Sequence, residues 1–260
     1  MAGIFDIFKS KSQKTEELYI PFEGFELCYS EGTSIVERYK KQGHYEQDFV
    51  EVLVAKLAGS SEFIDVGANI GMISLSVLHA HPEIKIYAFE PGPHQADLFE
   101  KTITKNNLGD KIELSRIALK NEKGVDYFNV HSSEDVSGDG FVDTQRAGKT
   151  RRIKVETDTL DNWWTAQGKP QIKFVKMDTE GSEKWILEGA KEFISTCRPI
   201  LFLEINDKNI KNYPYEISDL LSLLDEFNYD LVTLKEEKVN PSKIIEHIRE
   251  SDTFIAYPQD

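Results

Sequence analysis

The chain has 260 residues, with 45 acidic and 31 basic side chains and a formal net charge of −14. This length suits one sizeable α/β domain with an appendage. The negative charge argues against a nucleic-acid partner, the apolar runs are too short to span a membrane, and two cysteines make no disulfide framework. Because the N-terminus also lacks the features of a signal peptide, the sequence predicts a cytoplasmic protein without a membrane span.

Three segments are predicted from the order of the patterns along the chain. Residues 1–17 are mostly polar after a short apolar patch, which is typical of a flexible N-terminal tail. Residues 18–60 are predicted to form a hairpin around Glu23-Gly24 and a helix over 45–58 that pack on the core. Residues 61–260 are predicted to form the main α/β domain.

The most informative segment is an apolar strand over 62–66 that runs into a glycine-rich turn. The turn carries Gly67, Asn69 and Gly71, and the glycines allow positive φ or close approach to a ligand. A strand, a glycine turn and a helix together present free N–H groups and a positive helix end, as nucleotide sites on α/β sheets do. This turn is therefore the predicted nucleotide site.

An acidic residue at the end of the second predicted strand supports this prediction. Glu90 comes nineteen residues after Gly71, directly after an apolar strand over 84–89. A carboxylate in that place can accept hydrogen bonds from both hydroxyls of a ribose. Asn69, however, stands where the dinucleotide pattern G-x-G-x-x-G has its second glycine, so a nicotinamide-dependent oxidoreductase is the less favoured alternative.

The alternation of strands and helices continues to the end of the chain. Further strands are predicted at about 111–117, 172–177, 199–205, 229–234 and 253–257. Residues 124–130 and 151–157 are predicted to pair as an inserted antiparallel hairpin. The glycine- and serine-rich stretch 131–150 between them is predicted to be a mobile lid loop.

A basic cluster within and after this loop stands out in an acidic protein. It comprises Arg146, Lys149, Arg151, Arg152 and Lys154. A solvated strand face is the plainer explanation. The alternative is a clamp for an anionic acceptor, with Arg151 and Arg152 as substrate-binding residues.

Several sequence blocks in fixed order resemble the FkbM family of S-adenosylmethionine (SAM)-dependent methyltransferases over roughly residues 45–235. The blocks are Asp65-Val-Gly-Ala-Asn-Ile-Gly71, Phe89-Glu90-Pro91, Thr159-Leu-Asp161, Lys176-Met-Asp178-Thr-Glu180-Gly181-Ser-Glu183, Leu187-Glu-Gly189-Ala190, and Arg198-Pro199 with Leu203-Glu204.

The resemblance implies a class I methyltransferase fold, that is, a Rossmann-like, mostly parallel seven-stranded sheet with flanking helices, closed by an antiparallel strand pair. It also implies O-methylation of a hydroxyl on a sugar, a polysaccharide precursor or a polyketide-type natural product, with SAM as the methyl donor. The cofactor-binding residues that it implies are Asp65, Gly67, Asn69, Gly71, Glu90 and Pro91.

The catalytic candidates are carboxylates near the ends of two later strands. Asp178 and Glu204 end predicted strands, and Glu180 follows closely, so the three can converge at the carboxyl edge of the sheet. One of them could accept the proton that the acceptor hydroxyl loses. Alternatively, a divalent cation such as Mg²⁺, held by Asp178, Glu204 and Asn206, could lower the pKa of a sugar hydroxyl. The sequence leaves both chemistries open.

Two nearby residues have a lower rank as candidates. Glu183 is expected to cap the helix that follows Gly181, because acidic residues are common at helix starts. His131, in the predicted lid, is an alternative general base.

Two other functions compete with the proposed enzyme class. A non-catalytic SAM-binding or scaffold domain would keep the fold without the chemistry, and a protein or nucleic-acid methyltransferase would use the same cofactor. The expected acceptor is a small molecule or saccharide, and the sequence specifies neither the acceptor nor the oligomeric state.

Overall fold

A computed structural model describes residues 17–131, 138–143 and 150–259. The predicted tail 1–17, apart from its last residue, lies outside the described residues, as does most of the predicted lid 131–150, including Arg146 and Lys149. In the described part of the chain, no helix is both long enough and apolar enough to cross a bilayer.

The described residues form twelve strands in three sheets. In chain order the strands are β1 (Glu17–Phe22), β2 (Phe25–Ser30), β3 (Glu62–Val66), β4 (Lys85–Phe89), β5 (Ile112–Ser115), β6 (Ala118–Leu119), β7 (Gly124–His131), β8 (Thr150–Asp158), β9 (Phe174–Met177), β10 (Ile200–Glu204), β11 (Tyr229–Thr233) and β12 (Thr253–Pro258).

Ten α-helices connect and cover these strands. They are α1 (Ser34–Gln42), α2 (Gln47–Lys56), α3 (Met72–Ala80), α4 (Pro93–Lys105), α5 (Leu160–Ala166), α6 (Glu183–Glu188), α7 (Lys191–Cys197), α8 (Asp207–Ile210), α9 (Ile217–Glu226) and α10 (Ile244–Glu250), with a 3₁₀ turn at Pro241–Lys243.

The central sheet has seven strands in the order β11-β12-β10-β9-β3-β4-β5. Neighbouring strands from β10 to β5 are parallel, whereas β12 runs antiparallel to both β10 and β11. The predicted class I methyltransferase fold, with one reversed strand near the edge, is therefore confirmed. The strand order reverses between β3 and β9, and a ligand site is expected at the carboxyl ends of the strands there.

The core lies on both faces of this sheet, which is why its central strands are apolar on both sides. Ile64 and Val66 of β3 belong to a cluster that α5, α6, α7 and α9 cover. Phe63 faces the opposite cluster, which includes residues of the β1–β2 hairpin and of α1 to α4. The N-terminal segment thus packs against the same face of the sheet as the helix after the glycine turn.

The helix that the sequence predicts after Gly181 is followed closely by a second one, so that this stretch forms two helices, α6 and α7. Asp161, at the start of α5, accepts hydrogen bonds from the backbone N–H groups of Glu192 (3.0 Å) and Phe193 (2.8 Å). Its carboxylate therefore satisfies donors in the first turn of α7, and α7 begins as a separate helix. The sequence analysis also missed α1 and α10.

Two smaller sheets accompany the central one. The β1–β2 hairpin has Phe22 paired with Phe25 next to its turn. In the second, β8 pairs with β7 in antiparallel register and with β6 in parallel. The inserted hairpin is therefore present, and its inner face packs through Phe128, Val130 and Val155.

Candidate active site

A cavity of about 1040 Å³ opens at the carboxyl ends of β3, β4, β9 and β10. This volume is at the upper end of the range for small-molecule sites. The turn after β3 and residues Glu90 and Pro91 line it on one side, and Asp178, Glu180 and Glu204 on another. The structure thus brings four of the predicted cofactor residues (Gly67, Asn69, Glu90 and Pro91) and the three predicted catalytic carboxylates to one cavity.

The glycine turn is shaped by contacts within the protein. A Cβ on Gly67, where φ is +77°, would lie 1.9 Å from the carbonyl oxygen of Asp178. A Cβ on Gly71, where φ is +91°, would lie 2.1 Å from the Phe99 ring. Both positions therefore exclude a larger residue, and Gly71 packs against Phe99 under the turn instead of reaching the cavity, as its predicted cofactor contact would require.

Glu90 is the buried carboxylate of the turn, with 6% of the residue exposed. Its Oε2 accepts a hydrogen bond from the N–H of Asn69 (2.8 Å), and its Oε1 accepts one from the N–H of Gly92 (2.8 Å). Burial raises the pKa of Glu90 to about 7, although these two N–H groups lower it. Asn69, with φ at +52°, and Pro91 line the cavity beside it.

Asp65 does not contact the cavity, contrary to the predicted cofactor role. Asp65 is 0% exposed, and its Oδ2 accepts a hydrogen bond from the Ser74 hydroxyl (2.7 Å). Its Oδ1 lies 3.2 Å from Nζ of Lys176. Asp65 therefore acts beneath the turn through Lys176, a residue to which the sequence analysis gave no role.

Two of the three catalytic candidates, Glu180 and Glu204, meet at the side chain of Asn209. Its Nδ2 donates to Oε2 of Glu180 (2.7 Å) and lies 3.3 Å from Oε2 of Glu204. Asp178 follows β9, and its side chain is 41% exposed. Glu180 has φ at +56°, within the turn between Asp178 and α6. Asn209 lies in the short helix α8, and no sequence pattern indicated it as a site residue.

Glu204 and Glu183 have raised pKa values for related reasons. Burial raises the pKa of Glu204 well above its usual value, and Asp178, Glu180 and Glu183 raise it further by repulsion. Burial also raises the pKa of Glu183 to about 7. Glu183 Oε1 accepts from the N–H and the hydroxyl of Thr179, both at 2.8 Å, so it fixes the turn before α6 as a helix-start residue does.

Asn206 is committed elsewhere, contrary to its predicted role in substrate or metal binding. Its Oδ1 accepts from the N–H of Lys208 (3.0 Å) and caps α8, and its Nδ2 donates to Asp252 (3.0 Å). Among the described residues, no three His, Cys, Asp or Glu side chains are placed to hold a metal ion. The geometry therefore gives the magnesium alternative no ligand set.

Arg151 and Arg152 do not form a joint clamp. Alternation along β8 places them on opposite faces of the hairpin. The guanidinium of Arg152 lies 4.3 Å from the centre of the Tyr127 ring on the outer face. Of the described basic residues, the ones that line the cavity are Arg38, Lys176 and Lys235.

His131 is not among the described residues that line the cavity, so the structure does not place it as the general base. Its Nδ1 lies 2.8 Å from Oδ1 of Asp139, which also accepts from the backbone N–H of His131 (2.9 Å). The other oxygen of Asp139 accepts from Gln95 (2.6 Å). Asp139 and Gln95, which the sequence analysis missed, line the cavity close to Glu90.

The N-terminal segment contributes a wall of the cavity. Arg38 of α1, with Tyr45 and Glu46 before α2, lines it opposite the strand ends. Glu46 has φ at +44°, and burial together with repulsion from Asp178 raises its pKa. The sequence predicted that this segment packs on the core, but it assigned none of its side chains to the site.

Comparisons with known proteins agree with this geometry. Residues 65–231 match the methyltransferase FkbM domain. The chain is 25% identical over 178 residues to the 2-O-methyltransferase NoeI of Sinorhizobium fredii, covering 63% of this chain and 71% of that protein. It is 26% identical over 185 residues to the methyltransferase sdnD of Sordaria araneosa, covering 60% and 71%.

A solved structure of a methyltransferase FkbM from Methylobacillus flagellatus aligns with 76% of this chain and 43% of its own, at 17% identity and a TM-score of 0.46. The fold and the family match define a methyltransferase. More specifically, the chain belongs to the FkbM methyltransferase family.

Proposed function

We propose that the protein is a SAM-dependent O-methyltransferase that acts on a hydroxyl of a sugar, a polysaccharide precursor or a polyketide-type natural product. The observation that carries this proposal is the single cavity, which joins the turn with Glu90 to the carboxylates Asp178, Glu180 and Glu204. A methyl donor and an acceptor can therefore lie side by side in it.

The residues of the turn fit the nucleoside part of SAM. Glu90 uses one lone pair on each oxygen for a backbone N–H, which leaves acceptor capacity for ribose hydroxyls. Eleven acidic side chains and three lysine or arginine side chains line the cavity among the described residues. Such an excess of negative charge favours a sulfonium cation. When bound, SAM supplies an electrophilic methyl group on positively charged sulfur.

Asp178 is the best placed general base. Asp178 lines the cavity with a side chain that is 41% exposed, so its carboxylate is accessible to an acceptor hydroxyl there. With SAM bound, its methyl group would pass to the acceptor oxygen, S-adenosylhomocysteine would be the leaving group, and Asp178 would take the proton that the hydroxyl loses, so that charge and atoms balance.

Glu204 and Glu180 have a different role in this proposal. Because the raised pKa of Glu204 favours its protonated form, Glu204 is suited to donating a hydrogen bond to the acceptor. Asn209 orients both side chains through its amide. They therefore position the hydroxyl, while Asp178 removes its proton.

The charge of the cavity favours an uncharged acceptor with several hydroxyls over an anionic one. An anionic group would meet the acidic lining, and Arg151 and Arg152 lie outside it. The name of the relative NoeI, a 2-O-methyltransferase, supports oxygen as the methylated atom. The alternative is an anionic acceptor, which would then have to be bound by Arg146 and Lys149.

The test is a transfer assay with methyl-labelled SAM against a panel of neutral sugars, nucleotide-linked sugars and hydroxylated polyketides. We expect label on an oxygen of a neutral or weakly charged acceptor, and we expect EDTA to leave the rate unchanged. Binding of NADH instead of SAM would contradict the proposal. SAM binding without transfer to any acceptor would favour the scaffold alternative, and a rate that magnesium restores after EDTA would favour metal chemistry.

A further inference from the structure

A lysine is buried in the middle of the central sheet, directly under the site. Lys176 of β9 is 3% exposed. Its Nζ donates to the carbonyl oxygen of Gly67 (2.8 Å) and lies 3.4 Å from that of Val66. The same atom lies 3.2 Å from Asp65 and 3.6 Å from Asp178. A buried ammonium requires such partners. Here they come from β3, the strand beside β9, and from the turns that follow these two strands.

Asp65, one of the partners of Lys176, is itself held in place by a hydrogen bond. Asp65 is held by the hydroxyl of Ser74, on the first turn of α3, at 2.7 Å. The ammonium is therefore anchored to the core through Asp65, while its other partners, Gly67 and Asp178, line the cavity. Lys176 thus connects the turn at the cofactor end with the carboxylate at the acceptor end.

The charge of Lys176 reaches the acidic groups that surround it. Facing it are Asp65 from β3, Asp178 after β9, and Glu46 and Glu204, which line a small cavity beside it. Burial lowers the pKa of Lys176, but the carboxylates of Asp65, Asp178 and Glu46 raise it more, so the pKa lies above its usual value. The side chain is therefore an ammonium at neutral pH.

We propose that Lys176 is a positioning residue for methyl transfer: it fixes the Gly67 carbonyl and the Asp178 carboxylate relative to each other, so that donor and base meet the acceptor in line. This inference rests on the proposed function. Small displacements of reacting groups cost large factors in rate, which is why a residue that acts through its neighbours can matter for turnover.

The competing role for Lys176 is purely structural, namely to neutralise the buried carboxylate of Asp65. A single Lys176→Met variant cannot separate these roles, because it leaves Asp65 charged, buried and unpaired. The double variant Asp65→Asn with Lys176→Met removes both charges. Replacing both partners of a buried ion pair is often nearly neutral for stability.

The experiment measures the melting temperature, the affinity for S-adenosylhomocysteine by calorimetry, and kcat for wild type, both variants and the control Lys173→Met. Lys173 is exposed on the same segment, just before β9. We expect the double variant to melt near the wild-type temperature, to bind the product about tenfold more weakly, and to lose roughly a hundredfold in kcat. We expect Lys173→Met to match wild type in all three measurements.

Recovery of kcat to within threefold of wild type in the folded double variant would overturn the inference, since the structural role alone predicts that recovery. Failure of the proposed function has a different signature. In that case wild type itself would neither bind S-adenosylhomocysteine nor transfer methyl groups, whatever the variants do.

Discussion

At the residue scale, Glu90 has two properties that shift its pKa in opposite directions. It is buried beside the turn, yet both of its oxygens accept backbone hydrogen bonds that favour its ionised form. Burial outweighs these bonds and brings the pKa to about 7, with a further upward contribution from Asp139 and a downward one from Lys176. The protonation of this carboxylate therefore changes within the physiological pH range.

This leads to a pH dependence of SAM affinity. The ionised carboxylate is the better acceptor for ribose hydroxyls. Below a pKa of about 7 the ionised fraction falls, so we expect SAM affinity to be about tenfold weaker at pH 6 than at pH 8. Calorimetric titration at several pH values measures it. Glu90→Gln should bind weakly with little pH dependence, and a wild-type affinity that stays constant from pH 6 to 8 would contradict this role.

Asp178 and Glu204 provide a matched pair of substitutions. Asp178→Asn removes the proposed base, and we expect kcat to fall by a factor of about 10² to 10⁴ with SAM affinity near wild type. Glu204→Gln resembles the protonated form that its raised pKa favours, so we expect kcat to fall less than about tenfold. Single-turnover rates with the identified acceptor decide the matter. A larger loss for Glu204→Gln than for Asp178→Asn would exchange the two roles.

At the element scale, the structure differs from the prediction about which segment lines the cavity. Residues of the α1–α2 segment line it, whereas Arg151 and Arg152 of the β7–β8 hairpin do not. The strand period of two separates Arg151 from Arg152 across the hairpin, and Arg152 packs on Tyr127. The helix α1 and the turn before α2, by contrast, place Arg38 and Tyr45 in the cavity wall. We therefore expect the acceptor to contact the N-terminal segment.

Substitutions on these two elements should have opposite results. We expect Arg38→Ala to raise the acceptor KM about three- to tenfold and to leave SAM affinity unchanged, because Arg38 lies 5.9 Å from the centre of the Tyr45 ring, in the wall that we assign to the acceptor. Arg151→Ala combined with Arg152→Ala should change neither KM. Lys40→Ala on the same helix is the control for Arg38, since Lys40 lies over the Tyr29 ring. If only the Arg151 and Arg152 double variant raised the acceptor KM, that result would support a clamp for an anionic acceptor.

At the scale of the whole molecule, the cavity joins parts of the chain that are far apart in sequence. Its wall includes residues from α1, from the ends of β3, β4, β9 and β10, and from Asp252 before β12. A ligand bound there links these segments and stabilises the folded state by mass action.

We therefore expect S-adenosylhomocysteine at a hundredfold excess over its Kd to raise the melting temperature by about 5–10 °C. Differential scanning calorimetry measures the shift. Glu90→Ala should show a much smaller shift at the same ligand concentration. An equal shift for that variant would mean that the ligand stabilises the protein from another site.

The sequence by itself determined the central architecture and the place of the site. Short apolar strands, the turn from Asp65 to Gly71 and the acidic residue Glu90 are local patterns, and the order of strands in an α/β sheet follows from few rules. The carboxyl ends of the strands meet at one edge, so Asp178, Glu180 and Glu204 were assignable to the cavity without coordinates. The domain boundaries at 17 and 60 and the location of the protein stay predictions.

Only the tertiary structure decided what each polar residue contacts. Asp65 and Asn206 are residue types that often bind ligands, but other residues of the protein occupy their polar atoms. Asp65 binds Ser74 and Lys176. Asn206 binds Asp252 and caps the start of α8. Lys176 could have been suspected, because a lysine between Val175 and Met177 in a buried strand must find carboxylates. Asn209 and Arg38 had no such signal. Their neighbours in space are distant in sequence, and partner choice among buried polar groups is set by packing, which a one-dimensional pattern does not contain.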